Sequence, residues 1–179
     1  MQNNLTRVQK LITSALFLAI AYVLPFVTGG IPVIGRMLCP MHIPVLLCGF
    51  VCGAGYGMTV GFLAPLLRSL TLQMPTLFPS AVCMAAELAV YGLVAGLMYK
   101  ILPKKNIFIY VSLLIAMLAG RLMWGLCMLL LSGITPKVNI SLSMFFTTEF
   151  VTAMPGIIVQ IAVIPVVVMI LQKTKHGVE

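Results

Sequence analysis

The sequence predicts an all-α integral membrane protein: a single domain over residues 1–179, built as a compact bundle of six transmembrane helices with both termini cytoplasmic. Three observations predict it. The chain is 61% hydrophobic and only 8% charged, too little charge to cover a water-soluble surface. Apolar runs of about 20 residues recur, each able to cross a hydrocarbon core of about 30 Å. The basic residues cluster so that an even number of crossings fits best. The runs are continuously apolar rather than alternating, which argues against a β-barrel.

Span one covers residues 11–27. It exceeds the roughly 7–15 residues of a signal-peptide core, and no clear small-residue cleavage site follows, so it reads as a retained span. Spans four, five and six cover 76–101, 107–132 and 147–171. The stretch 43–71 is ambiguous: as one straight helix it would be about 43 Å long, more than a membrane needs.

Charge resolves it, because Lys and Arg at span ends favour the cytoplasm. If 43–71 is one span, Lys100, Lys104 and Lys105 lie opposite the N-terminus. If it is two spans, 43–53 and 57–71, then Arg7, Lys10, Lys100, Lys104, Lys105, Lys173 and Lys175 share one side. Only Arg36 and Lys137 then lie outside, while Arg68 and Arg121 fall within spans. Six spans is the reading adopted, with Gly53-Ala54-Gly55-Tyr56 as a tight cytoplasmic turn. Gly49, Gly53, Gly57 and Gly61 recur every four residues, as do the small residues Ala81, Ala85 and Ala89, followed by Gly92 and Gly96. Such strips let helices approach closely.

The net charge of +8 is assigned to this cytoplasmic anchoring and not to nucleic acid, since no aromatic-rich basic patch accompanies it. Cys39, Cys48, Cys52, Cys83 and Cys127 form no CxxC and read as small apolar packing residues. No clustered His and Cys suggests a metal, and no cofactor is expected. GxSxG, HExxH and the Walker lysine motif are all missing from the sequence, so no enzyme is expected.

The expected outer loops are residues 28–40, 72–75 and 133–146, two of them long, and loops on a rigid scaffold often carry function. Ionisable groups inside spans are costly and often functional. Here they are Arg68, Glu87 and Arg121, with His42 and Glu149 at outer span ends. Glu87 and Arg121 are each eleven residues from an outer end, so they share a depth of about 16 Å on neighbouring spans. An ion pair between them is expected, as a structural clamp or as the floor of a pocket. Trp124 lies one turn outward from Arg121, and Met84 and Ser80 lie on successive turns outward from Glu87. They would supply walls for a small polar ligand. Arg68 can snorkel to the interface, or face Glu149 or the ligand. Glu149 also suits the first turn of span six through the helix dipole. Gln160, deep in span six, needs a partner for its amide. Arg36, Arg68 and Arg121 lean toward a carboxylate or phosphate ligand.

Several strings together resemble the substrate-binding S-component of an energy-coupling factor (ECF) vitamin transporter. They are Ala15-Leu-Phe-Leu-Ala19, MHIPVLLCGFVCGAGYG, APLLRSL, MPTLFPSA and AGRLMWG. The resemblance runs over nearly the whole chain. It implies capture of one water-soluble vitamin or related micronutrient, of pantothenate, niacin or riboflavin type, from outside a prokaryotic-type plasma membrane. It implies docking on a module of one transmembrane scaffold protein and two ATPases, with Ala15 and Ala19 on the docking face. Loops one, three and five with spans four to six would surround the substrate: Arg36, His42, Arg68, Ser80, Met84, Glu87, Arg121, Trp124 and Glu149 are the candidates. Two other readings stay open at this point: a solitary ion-coupled carrier with Glu87 as proton site, and an intramembrane enzyme using His42 and Glu149.

Overall fold

The computed structural model describes residues 5–27, 37–103, 106–134 and 147–176. Among them six helices pack together: α1 (Arg7–Val27), α2 (His42–Cys52), α3 (Ala54–Leu72), α4 (Val82–Ile101), α5 (Asn106–Ile134) and α6 (Met154–His176). Wide turns at Leu77–Ala81 and Thr147–Thr152 lead into α4 and α6.

Local chemistry sets the helix ends. Before α1, Thr6 and Gln9 form a reciprocal cap. The Thr6 N–H donates to Gln9 Oε1 at 2.9 Å and the Gln9 N–H to Thr6 Oγ1 at 3.3 Å. α3 ends where Gln73 turns left-handed and its N–H returns to Ser69 O, with Pro75 just beyond. α4 ends at Leu102, which is extended because Pro103 follows it.

The structure shows that 43–71 is two helices rather than one. Gly53 has φ 107° and ψ 171°, a conformation available essentially to glycine alone, and the chain reverses there. In one straight helix Gly49 and Gly57 would lie about 12 Å apart. Instead, a Cβ placed on Gly57 would stand 2.7 Å from the Gly49 Cα. The reversal uses one residue rather than the four expected, since Ala54, Gly55 and Tyr56 already belong to α3.

α3 runs antiparallel to α4 along a glycine seam. The Gly61 Cα faces the Leu88 carbonyl, the Gly92 Cα faces the Gly57 backbone, and the Gly96 Cα faces Ala54. α2 runs parallel to α4 and meets the same seam, a Cβ on Gly49 falling 2.6 Å from Gly92 O. Three backbones therefore touch with no side chains between them, as small-residue spacing permits in a membrane. α2 is buried on nearly every side, which explains why it is apolar all round.

Two partners place α6: the Gly156 Cα packs on the backbone of Met37 and Leu38, and Gln172 Nε2 donates to Tyr99 Oη at 2.5 Å. Lys10 and Lys100 line a cleft of about 330 Å³ beside Gly53, Tyr56 and Gly96. The start of α1, the reversal at Gly53, the end of α4 and the end of α6 thus lie at one end of the bundle.

Among the described residues four helical segments are long and apolar enough to cross a membrane: Arg7–Phe26, Leu77–Ile101, Asn106–Gly133 and Met154–Lys173. α2, at 11 residues, is about 16 Å long and reaches only about half-way across. α1 and α5 present apolar faces outward, among them Leu11, Leu16, Val23, Leu118, Leu122 and Leu129. Ala15 and Ala19 are exposed on α1.

Candidate binding site

The basic end holds none of the described binding candidates. They gather toward the other end, where the helix entering from Gly53 passes from glycine contacts to buried polar ones. His42 opens α2, and because α2 runs parallel to α4 its ring reaches Glu87. His42 Nε2 lies 3.5 Å from Glu87 Oε1. At that length the contact is long for a hydrogen bond. The imidazole also meets the Tyr91 ring edge-on at 5.1 Å between centroids.

Arg121 was the expected partner of Glu87; the side-chain contact the structure gives Glu87 is with His42. The level match between Glu87 and Arg121 stands. A Cβ on Gly120 would fall 2.9 Å from the Tyr91 ring and 3.1 Å from Glu87 O, so α5 crosses α4 between residues 87 and 91. Arg121, the next residue, is buried at 3% exposure, as are His42 at 3% and Glu87 at 4%. The reason for the swap is positional. His42 looked like a span end in the sequence, yet half-length α2 starts deep enough to meet Glu87 at its own level.

A register count along α4 and α6 puts Gln160 near this level. It lies twelve residues before Gln172, which binds Tyr99, and Glu87 lies twelve residues before Tyr99. Both intervals are about 18 Å of helix. Gln160 is 0% exposed, and neither its Oε1 nor its Nε2 has a hydrogen-bond partner among the described residues. His42 Nδ1 is likewise buried without one. A buried polar group left so costs about 1–3 kcal/mol.

The other described candidates lie on α3, α4, α5 and the turn before α4. Trp124 is half-buried one turn from Arg121, and Met84 is half-buried against the core one turn from Glu87. Ser80 sits in the wide turn before α4, accepting from Thr76 Oγ1 at 3.3 Å. Arg68 is only 7% exposed and does not snorkel. Its Nη1 donates to Tyr22 O at 2.9 Å, and its guanidinium lies 4.9 Å above the Phe26 ring. With Tyr22 Oη 3.0 Å from Thr71 Oγ1, it clamps α1 to α3. Arg36 lies outside the described residues, as does the side chain of Glu149. The sequence signal for Gln160 was a lone amide in an apolar run; the signal for Tyr91 was no stronger than that of any core aromatic.

Among the described residues no group of three His, Cys, Asp or Glu could hold a metal ion. What the layer offers is a carboxylate–imidazole pair, a guanidinium and a carboxamide, from four different helices, with an indole one turn away. That is a binding set rather than a nucleophile with its base.

A family model described as the substrate-specific component of the ECF transporter matches residues 9–168. No curated protein and no solved structure matches the chain.

Proposed function

This chain belongs to the family of substrate-specific components of ECF transporters, and we propose that it captures one small water-soluble vitamin or related micronutrient from outside the cell and docks on an ATP-driven module. Pantothenate-, niacin- and riboflavin-type molecules are the substrates considered. The family is one of transport subunits and not of enzymes, so an intramembrane enzyme built on His42 and Glu149 is set aside. The chain is a multi-pass membrane protein.

The observation that carries the reading is the buried polar layer of His42, Glu87, Arg121 and Gln160. Polar groups at depth in a membrane bundle are expensive, and a ligand that uses them is the simplest reason to keep them. The proposed topology puts the basic end in the cytoplasm of a prokaryotic-type plasma membrane, with six passes and both termini inside. The polar layer then lies nearer the outside, with Trp124 as one wall and Arg121 proposed to face an anionic group of the substrate. Arg36 and Glu149 are proposed to close over it from the outer loops. On the other side of the bundle, the exposed Ala15 and Ala19 leave a smooth strip on α1 for a helix of the transmembrane scaffold. Two ATPases complete the proposed module.

A crossed experiment tests it. Substrate binding by the isolated chain and ATP-dependent uptake with the module are measured for two variants. Trp124→Ala should weaken binding by on the order of tenfold or more while assembly persists. Ala15→Leu should abolish assembly and uptake while binding stays within about twofold. Uptake that needs no module and no ATP would overturn the reading in favour of a solitary carrier using Glu87.

A further inference from the structure

Gln160 has no structural reason to be polar. It is wholly buried, and its amide bonds to nothing among the described residues. Interhelical glue is the usual role of an amide in a membrane bundle, and that role needs a partner on the facing helix. Methionine, with nearly the same shape, would fill the space without burying a carboxamide. Yet the amide sits near the level of the other buried polar groups, on α6, which packs against α2 and, at Gly156, against Met37 and Leu38 just before it.

We infer that Gln160 is a specificity-determining residue that reads an amide-type edge of the substrate: an N–H beside a C=O, or an amino group beside a ring nitrogen, on a planar heterocycle. This rests on the reading of the polar layer as the substrate site. A carboxamide presents one acceptor and two donors in one plane. It therefore pairs with an edge that offers a donor and an acceptor side by side, as Gln does with adenine. A carboxylate would use only the donors and would face Oε1 with a second acceptor. His42 adds a complementary contact. Its Nδ1, buried without a hydrogen-bond partner among the described residues, is a second polar atom left for the substrate to meet. Arg121 serves any anionic group elsewhere on the molecule. The substrate class is thus a nitrogen heterocycle with an unblocked amide or aminopyrimidine-like edge, in preference to an open-chain acid.

Two measurements on the full-length protein in detergent test this. The first needs no variant: thermal shifts with matched probes that differ only at the edge. The pairs are nicotinamide against nicotinate, and lumazine against 1,3-dimethyllumazine, with mass spectrometry of any molecule that co-purifies. Stabilisation by an edge-bearing member and not by its blocked or acidic partner, or a co-purified molecule carrying such an edge, is expected. The second uses Gln160→Met. Its ligand-free form should melt about 2–4 °C higher, because a stranded amide is gone. Its affinity for the edge-bearing probe or co-purified molecule should fall on the order of tenfold. A lower melting temperature in Gln160→Met would mean that the amide is satisfied within the protein, and would overturn the inference. So would equal binding by the variant, preference for nicotinate, or an edge-less co-purified molecule with no probe binding. Failure of the transport reading would show separately, as loss of ATP-dependent uptake with the module even though the edge preference persists.

Discussion

Helix α4 is built on opposite rules at two places about one and a half turns apart. At Gly92 and Gly96 it has no side chains, and its backbone rests directly on α2 and α3. At Glu87 it carries a buried carboxylate facing an imidazole. The seam stabilises through close packing and leaves no room for alternatives. The polar layer costs stability and is arranged for chemistry. One helix therefore anchors the bundle at one level and presents binding groups at the next. Rigidity in the seam helps the layer keep its geometry.

Breaking the seam should give the largest effect. A Cβ on Gly92 would overlap the Gly57 backbone, which cannot swing aside as a side chain could. Gly92→Val should therefore cost more than about 3 kcal/mol, beyond ordinary overpacking. The expected outcome is no monodisperse protein in detergent by size-exclusion chromatography. A folded Gly92→Val that melts like wild type would show that the seam is not the anchor.

Disturbing the polar layer should come next. His42→Ala leaves Glu87 buried without its partner, and breaking such a pair costs about 3–5 kcal/mol. His42→Ala/Glu87→Gln removes the stranded charge as well and should recover most of that loss. Melting curves of the ligand-free single and double variants read the difference. If the double variant melts no higher than the single, the His42–Glu87 contact is not what Glu87 depends on.

The two regions were not equally legible in the sequence. The seam was written in it plainly, because glycines every four residues have a direct geometric meaning whatever else surrounds them. Charge clustering at Arg7, Lys10, Lys100 and Lys173 likewise implied that the chain doubles back within 43–71, and the reversal at Gly53 does so. The length of that turn was less legible, since Ala54, Gly55 and Tyr56 suit a turn or a helix equally well. The polar layer was half legible. Counting residues from span ends put Glu87 and Arg121 at one depth, and the packing of Gly120 agrees. It could not find the partner of Glu87, because counting assumes full-length spans and α2 is half-length. Arg68 shows the same limit: its clamp to Tyr22 and Phe26 joins residues more than forty apart in sequence, and no local pattern announces it.

The smallest expected effect sharpens the comparison at the reversal itself. Glycine is needed at Gly53, where φ is 107°, but Gly55 is an exposed helical residue. A Cβ on Gly55 would meet nothing within 4 Å. Alanine there lowers the entropy lost on folding and is the better helix former, a gain of at most about 1 kcal/mol. Gly55→Ala should therefore melt at the wild-type temperature or up to about 4 °C above it, with substrate binding unchanged. Gly53→Ala forces a Cβ into a conformation that is nearly glycine-only and should lose about 1–3 kcal/mol. The ordering of the two variants is the decisive measurement. If Gly55→Ala were the more harmful, the chain would reverse over several residues, and the contact between Gly49 and Gly57 that starts the seam would not form as described.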